Sequence, residues 1–483
     1  MKITRSGRML RGLLAVMFTA VLAAQAVQAF DYQPAAGVVD LRTTFSDGFY
    51  DVDSLVRLAK SKGIRVLIIN DHDLMAMEYG LWPLRNVIKK REERNAILMM
   101  GAERYLNEIE RVSRANPDMV IIPGSETTPF YYWTGSPLKG TLTAHDHEKR
   151  ILTIGMEQPS DYEDLPILDN RHSRGALKRS LPGLLLFAGS FLFGLVLLRW
   201  KGMYRIVGVV VMLLSALMAI NSDPMNPSTF DAYQGHRGIA PYQHYLDYVA
   251  ARGGMTFWNY PETKSGVRQM GPIMVSTRPY PEALIESKNY TGFASLYGEG
   301  ITVTEPGGIW DMVLNEHCRG LRARPAWGIA TSDYHKEGES GEILGNFQTV
   351  FYVKERKKAE ILSAMRSGRM YAARGKFPHL PVMDAFSLSS ADQTVKGVSG
   401  ENITLSGPAR VRIAVSSSQP VTAPVKVRVI RSGTLAHSVD GTLPLQMDFQ
   451  DDYFNPGEKI YYRMDLRGAG IIVSNPIFVN FVK

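Results

Sequence analysis

The chain has 483 residues, too many for one ordinary compact domain. Its 45% hydrophobic and 21% charged residues are a globular composition with material for a sizeable core. The formal charge of +8 is no sign of nucleic acid: Lys2, Arg5, Arg8 and Arg11 supply half of it, and the remainder is ordinary for a body this size. No nucleic-acid partner is expected.

The basic start is followed by an apolar run, Leu13 to Ala24, short for a membrane span and right for a signal h-region. Val27-Gln28-Ala29 offers a cleavage site before Phe30. Residues 1–29 are therefore expected to be a secretory signal, with an uncleaved anchor as the alternative. Either places the body outside the cytoplasm, on the periplasmic side. Cys318 is the only cysteine; it excludes an intrachain disulfide and reads as inert packing.

From residue 30 a theme repeats: a short apolar strand ends in a cluster of ionisable residues. Val38-Val39 leads to Asp40 and Arg42, then Ser46-Asp47-Gly48. A helix follows with Leu55, Val56, Leu58 and Ala59 on its apolar face. Arg65 to Ile69 ends in Asn70-Asp71-His72-Asp73, and Met119 to Ile122 ends in Pro123-Gly124-Ser125-Glu126. Between them Lys89 to Arg94 (KKREER), mixed in sign, reads as a solvated helix face. Tyr131, Tyr132 and Trp133 read either as an apolar wall for substrate or as packing against the hairpin described next. Ile151 to Met156 forms a further strand, preceded by His145 and His147.

Leu181 to Leu198 is an uncharged run of eighteen residues, about 27 Å as a helix and close to the hydrocarbon thickness. Arg199 to Arg205 makes a basic turn, and Ile206 to Ile220 is uncharged again. Core helices keep a polar stripe and these have none, so residues 181–220 read as a transmembrane helical hairpin. Gly183, Gly189, Gly194, Gly208 and Ser215 are small enough to let two helices approach closely. The membrane lipid bilayer is thus an expected partner. Basic residues lie both in the turn and before the hairpin (Arg171, Arg174, Lys178, Arg179), so the positive-inside rule is split and the signal decides for an external body.

Beyond the hairpin, Met255 to Trp258 ends in Asn259-Tyr260-Pro261-Glu262, and Trp327 to Ala330 ends in Ser332-Asp333-Tyr334-His335. Strands alternating with helices predict a parallel sheet, and in a (β/α) barrel the residues just past each strand converge on one face. Carboxylates and imidazoles converging there are the natural ligands of Zn²⁺, Mn²⁺ or Fe, which lower the pKa of a bound water. Taken singly, Asp47 or Asp71 reads equally well as a helix cap, and His72 and His335 as polar residues at loop mouths. From about Met383 short alternating strands appear, such as Arg410 to Val415 and Val425 to Val429, and predict an antiparallel β-sandwich without catalytic residues.

The order Thr43-Thr44-Phe45-Ser46-Asp47-Gly48, Asn70-Asp71-His72-Asp73, Pro123-Gly124-Ser125-Glu126, Ser332-Asp333-Tyr334-His335 resembles the PHP (polymerase and histidinol phosphatase) superfamily. More narrowly, it resembles the branch of carbaryl-hydrolase-like metallohydrolases. The likeness runs from about residue 36 to 378 without the hairpin. It implies an α/β fold with a distorted (β/α)7 barrel, and metal-dependent hydrolysis, often of phosphoesters.

The resemblance has departures. Where the family carries a His-x-His pair, this chain has Asp40 and Arg42. Where it carries His-Pro, this chain has Tyr260-Pro261. The ligand expected near the Ile151 strand falls at Lys149 or Arg150, with His145 and His147 near enough to take its place. Arg42 cannot ligate a metal and stays cationic, so it repels one unless a carboxylate such as Asp40 neutralises it.

The implied metal set is therefore a reduced one of Asp71, His72, Glu126, Asp333 and His335, with Arg42 and Asp47 as catalytic residues. In that reading Arg42 orients a small anionic substrate. The alternative is a catalytically inactive barrel that binds or scaffolds a protein partner at the membrane surface. The expected organisation is a signal (1–29), a barrel in two parts (30–180 and 221–380) interrupted by the hairpin (181–220), and a β-sandwich (381–483).

Overall fold

The computed structural model describes residues 32–264, 266–298, 301–339 and 342–483. The expected signal segment lies outside the described residues. The chain is a mixed α/β protein whose first elements follow the apolar patterning closely. β1 (Gln33–Leu41) leads into α1 (Val52–Ser61). Asp51 caps α1 by accepting from the Ser54 N–H at 2.7 Å, and Val52, Leu55, Val56 and Ala59 form its buried stripe. β2 (Val66–Ile69) is buried along its whole length. Each such aliphatic side chain contributes on the order of 1.5–3 kcal/mol relative to exposure.

β3 (Met75–Gly80) and β4 (Lys89–Arg94) pair antiparallel as a separate hairpin. The expected solvated helix at Lys89 to Arg94 is therefore corrected to a strand. Its residues alternate between half-buried and exposed, and the inward Lys89 and Arg91 meet Glu78 of β3 at 3.0 and 3.4 Å. Cross-strand charge pairing decides the element, a signal that a search for apolar periodicity misses.

α2 (Ala102–Ala115), β5 (Val120–Thr127) and β6 (Ile151–Ile154) follow. Then come α3 (Arg174–Leu197) and α4 (Met203–Asn221), α5 (Ala240–Ala251), β7 (Met255–Trp258) and β8 (Gly292–Leu296). α6 (Ile309–Cys318), β9 (Trp327–Ala330), β10 (Phe347–Val353) and β11 (Met370–Arg374) complete this part.

Neighbouring strands in the sheet run β9, β8, β7, β6, β5, β2, β1, β10, β11. β1, β2 and β5 are mutually parallel, as are β7, β8 and β9. β6 is antiparallel to both its neighbours, against the expected all-parallel order. The chain reaches β6 by short strands and turns on the site face, without a crossover helix to carry it back, so it enters β6 from the opposite end. Beyond β9 the chain returns to β1: Ser332 N–H donates to Val39 O at 3.0 Å and Arg42 N–H to Tyr334 O at 2.9 Å. The ends of β1, β2, β5 and β9 and the start of β6 thus meet on one face.

α3 and α4 are each long and apolar enough to cross a membrane, by length and composition. α3 starts earlier than the sequence suggested because Ser173 caps it, accepting from Ala176 N–H at 2.9 Å. Leu185, Leu192, Phe193, Ile206 and Leu213 point away from the body. Gly194 and Gly208 face each other: a Cβ on Gly194 would lie 2.8 Å from Gly208 O, and one on Gly208 2.7 Å from Gly194 O. Only glycine allows that approach.

The strand-rich C-terminal part continues the same sheet. β12 (Lys459–Gly468) and β13 (Gly470–Ser474) pair antiparallel, and β13 runs against β11 with Tyr371 opposite Ser474. A second sheet of Lys396–Val398, Pro381–Ser389, Ala409–Ser417 and Leu445–Asp451 faces it. The core between them takes Phe386, Val411, Val427 and Met464, together with Val350 and Tyr371 from β10 and β11.

Candidate functional site

The left-handed backbone of Asp40 (φ 72) turns the chain at the end of β1. It sets Asp40 and Arg42, both fully buried, at the centre of the strand-end cluster. The Arg42 guanidinium lies 2.7 Å from Asp40 Oδ1, 2.8 Å from Glu126 Oε2 and 3.3 Å from Asp333 Oδ1, and also donates to Asn70 O. Burial disfavours its charge, but Asp40, Glu126 and Asp333 outweigh burial and hold the pKa above the ordinary arginine value. Arg42 is a permanent cation fixed in a cage of carboxylates.

Further groups complete the cage. Arg150, just before β6, donates to Glu126 Oε2 at 2.8 Å. Asn259 Nδ2 bridges Asp40 Oδ2 at 2.9 Å and Glu126 Oε1 at 2.7 Å, and Tyr260 donates to Asp40. Burial pushes the Glu126 carboxyl up, but Arg150, Arg42 and His72 overcome it and hold the group below its usual range. Burial dominates at Asp40 and raises it, the Arg42 attraction offsetting only part. The Tyr260 hydroxyl is raised by burial and by Asp333 and Asp40, so it stays a donor.

A second cluster stands at the mouth. Asp47 Oδ2 lies 3.5 Å from His72 Nε2 and 3.6 Å from His335 Nε2, while His72 Nδ1 is 3.3 Å from Glu126. Burial raises Asp47, yet its contacts with His335 and His72 carry it far below the usual carboxylate range. Burial lowers His335, but Asp47 and Asp333 overcome that and bring it up to about 9. His72 is lowered, by burial first and then by Arg42. A proton on the pair therefore sits on His335.

Of the residues expected to form the site, Arg42, Asp47, His72, Glu126, Asp333 and His335 come together. Asp71 turns away: its carboxylate accepts from Thr43 N–H at 2.7 Å, Thr43 Oγ1 at 2.6 Å and Ser46 Oγ at 2.6 Å, fastening the Thr43–Ser46 turn. It therefore neither faces the cluster nor caps a following helix, but ties the β1 end to β2. His145 stacks on Tyr132 and His147 packs against Tyr131, and neither touches Arg42 or Glu126. Arg150, Asn70 and Asn259 complete the cage without having been singled out. Arg150 was legible only as an ill-fitting residue at a ligand position.

These side chains do not fit a metal as they stand. Among the described residues, no group of three or more His, Cys, Asp or Glu side chains converges in a way that could hold one. The charge that a cation would neutralise on Asp40, Glu126 and Asp333 is already met by Arg42 and Arg150. A cavity of about 890 Å³ opens beside the cluster, between the strand ends and the C-terminal part. Tyr260 and Asp333 form one wall, and Arg374, Lys376 and His379 another.

No family model and no curated protein matches the sequence. Solved structures of similar shape include the following three. One is a two-domain protein from Bacteroides vulgatus ATCC 8482, described as containing a PHP-like metal-dependent phosphoesterase. It is 12% identical and the match covers 91% of this chain and 96% of that one, with a TM-score of 0.37. Another, from Bifidobacterium adolescentis ATCC 15703, is described as a metal-dependent phosphoesterase, with 12% identity, 64% and 91% coverage and a TM-score of 0.29. The third is an amidohydrolase from Chromobacterium violaceum with bound sulfate and no metal, with 13% identity, 63% and 89% coverage and a TM-score of 0.28. At this level of identity and superposition none of them assigns an activity to this chain.

Proposed function

We propose that the chain is a membrane-anchored PHP-like distorted (β/α)7 barrel in which a buried guanidinium takes the place of a catalytic metal. In this reading it binds a small anionic ligand, or a protein partner carrying such a group, without hydrolysing it. The observation that carries the reading is Arg42 within 2.7–3.3 Å of Asp40, Glu126 and Asp333. A fixed cation among carboxylates supplies no Lewis acid with open positions and no activated water. It does hold Asp333, which lines the adjoining cavity, and the Arg374, Lys376 and His379 wall of that cavity suits a phosphate or carboxylate. α3 and α4 would tether this body to the bilayer, with the soluble parts on the periplasmic side.

One observation favours the hydrolase instead. Asp47 Oδ2 stands 3.5 Å from His72 Nε2 and 3.6 Å from His335 Nε2, and carboxylate and imidazole are the donor types zinc takes, although the three do not converge on a common point as they stand. Metal analysis of the purified full-length protein separates the two readings. The binding reading expects less than about a tenth of an equivalent of Zn, Mn or Fe, before and after incubation with each. About one equivalent, with phosphomonoester hydrolysis abolished by both His72→Ala and His335→Ala, would establish the hydrolase and remove the binding reading.

A further inference from the structure

The tip between β3 and β4 is apolar and uncovered. Trp82 is 79% exposed, Ile88 51% and Leu81 48%, and Val87 is exposed beside them. Such a cluster on a surface turn calls for a partner. Its position says which one. Asn86, in the same tip, donates from its backbone N–H to Asn221 Oδ1 at 3.1 Å and from its side chain to Asn221 O at 2.9 Å. Asn221 donates in return to Pro83 O at 3.3 Å. Asn221 is the last residue of α4, so the tip is held level with the end of an apolar helix.

The base of the hairpin is fastened to the same place. Glu78 in β3 accepts from Arg171 at 2.9 Å, and Arg171 lies 3.6 Å from Asp223. Arg171 enters α3 and Asp223 follows α4, so a single ion network ties β3 to both roots of the helical pair. Arg85 adds a further anchor, 3.6 Å from Asp231 and over the Tyr233 ring at 4.0 Å. The tip therefore cannot swing away from the helix ends.

We infer that this tip is a third membrane contact, a wedge that sets Leu81, Trp82 and Ile88 into the interfacial layer of an anionic bilayer. The inference rests on α3 and α4 spanning that bilayer. Tryptophan is at home at that depth, and Arg174, Lys178 and Arg179 in the first turns of α3 put cations where anionic headgroups lie. β3 leads from the site residue His72 to this wedge.

The test uses the full chain in a Cys318→Ala background, with single cysteines at Trp82→Cys, Leu213→Cys or Lys426→Cys labelled with an environment-sensitive fluorophore. Each variant is reconstituted in phosphatidylcholine–phosphatidylglycerol vesicles containing both a shallow and a deep nitroxide lipid, since Leu213 lies near the middle of α4. The labelled positions are exposed, so the substitutions remove little packing. The expected result is quenching at position 82 of at least about half that at 213, with none at 426. Quenching at 213 but not at 82 would overturn the wedge and leave the spanning helices standing. A label at 82 shielded from aqueous iodide yet unquenched by the lipid would overturn it in favour of a protein contact. Absence of quenching at 213 would remove the spanning reading and the wedge with it.

Discussion

Arg42 sits where removal of one charge exposes the cost of several. With Arg42→Met, Asp40 and Glu126 would stay buried, with Arg150 still paired to Glu126. Breaking a buried ion pair from one side typically costs about 3–5 kcal/mol, and a loss of that order is expected here in chemical denaturation of the detergent-solubilised protein. Arg42→Lys should recover part of it, since a point charge cannot reach three carboxylates as a planar fork does. Wild-type stability in Arg42→Met would mean that the carboxylates neutralise themselves by protonation.

His335 gives a pH signature with a definite sign. Its folded pKa is raised to about 9 from an ordinary 6.5, so its stabilisation is complete below about pH 6.5 and lost as pH rises through 9. A shift of that size corresponds to about 3 kcal/mol, an upper figure for a partly exposed pair. Asp47 works in the opposite direction: held below its usual range, its stabilisation is present above about pH 4 and lost only in strong acid. Thermal melts from pH 6.5 to 9.5 should therefore show a fall in wild type that His335→Gln flattens. An equal slope in both proteins would place the titrating group elsewhere.

Among the elements, the helical pair depends on one close approach. Gly208→Leu would drive a side chain into Gly194 O and Leu197, which a Cβ alone would approach to 2.7 and 3.0 Å. The helices would have to separate, and a loss of about 1–3 kcal/mol is expected for such overpacking, visible as a lower melting temperature in detergent. Gly183→Leu meets open space and should melt as wild type does. The two long apolar helices and most strands were legible because apolar runs and their periodicities are local properties. β4 was not, because KKREER has no apolar period and becomes a strand only when Glu78 lies opposite. Arg150 was obscured for a related reason. It precedes its strand, and only the antiparallel entry of β6 brings that end to the site face. Asp40, Arg42 and Tyr260 stood out in the sequence as departures, but their mutual contacts join positions some 220 residues apart.

Across the whole molecule, the C-terminal part looks detachable by composition, yet the sheet runs through the boundary. β11 hydrogen-bonds to β13, and Val350, Tyr371 and Ala373 are buried in a core otherwise built from residues of the C-terminal part. Arg463 of β12 reaches across to Asp311 of α6 through two bonds of 2.7 Å, with both side chains essentially inaccessible, and Tyr461 adds a third at 2.8 Å. A chain ending at Leu380 would expose the edge of β11, uncover that apolar face and strand Asp311 without its cation. It should therefore aggregate under conditions where the full chain elutes as a single species in size-exclusion chromatography. Arg463→Met tests the same coupling without truncation: early proteolytic cleavage near the boundary at residue 380 is expected, ahead of the rest of the body. If the fragment ending at Leu380 were instead monodisperse and melted at the wild-type temperature, the first part would fold on its own and the continuous sheet would be a contact between independent units.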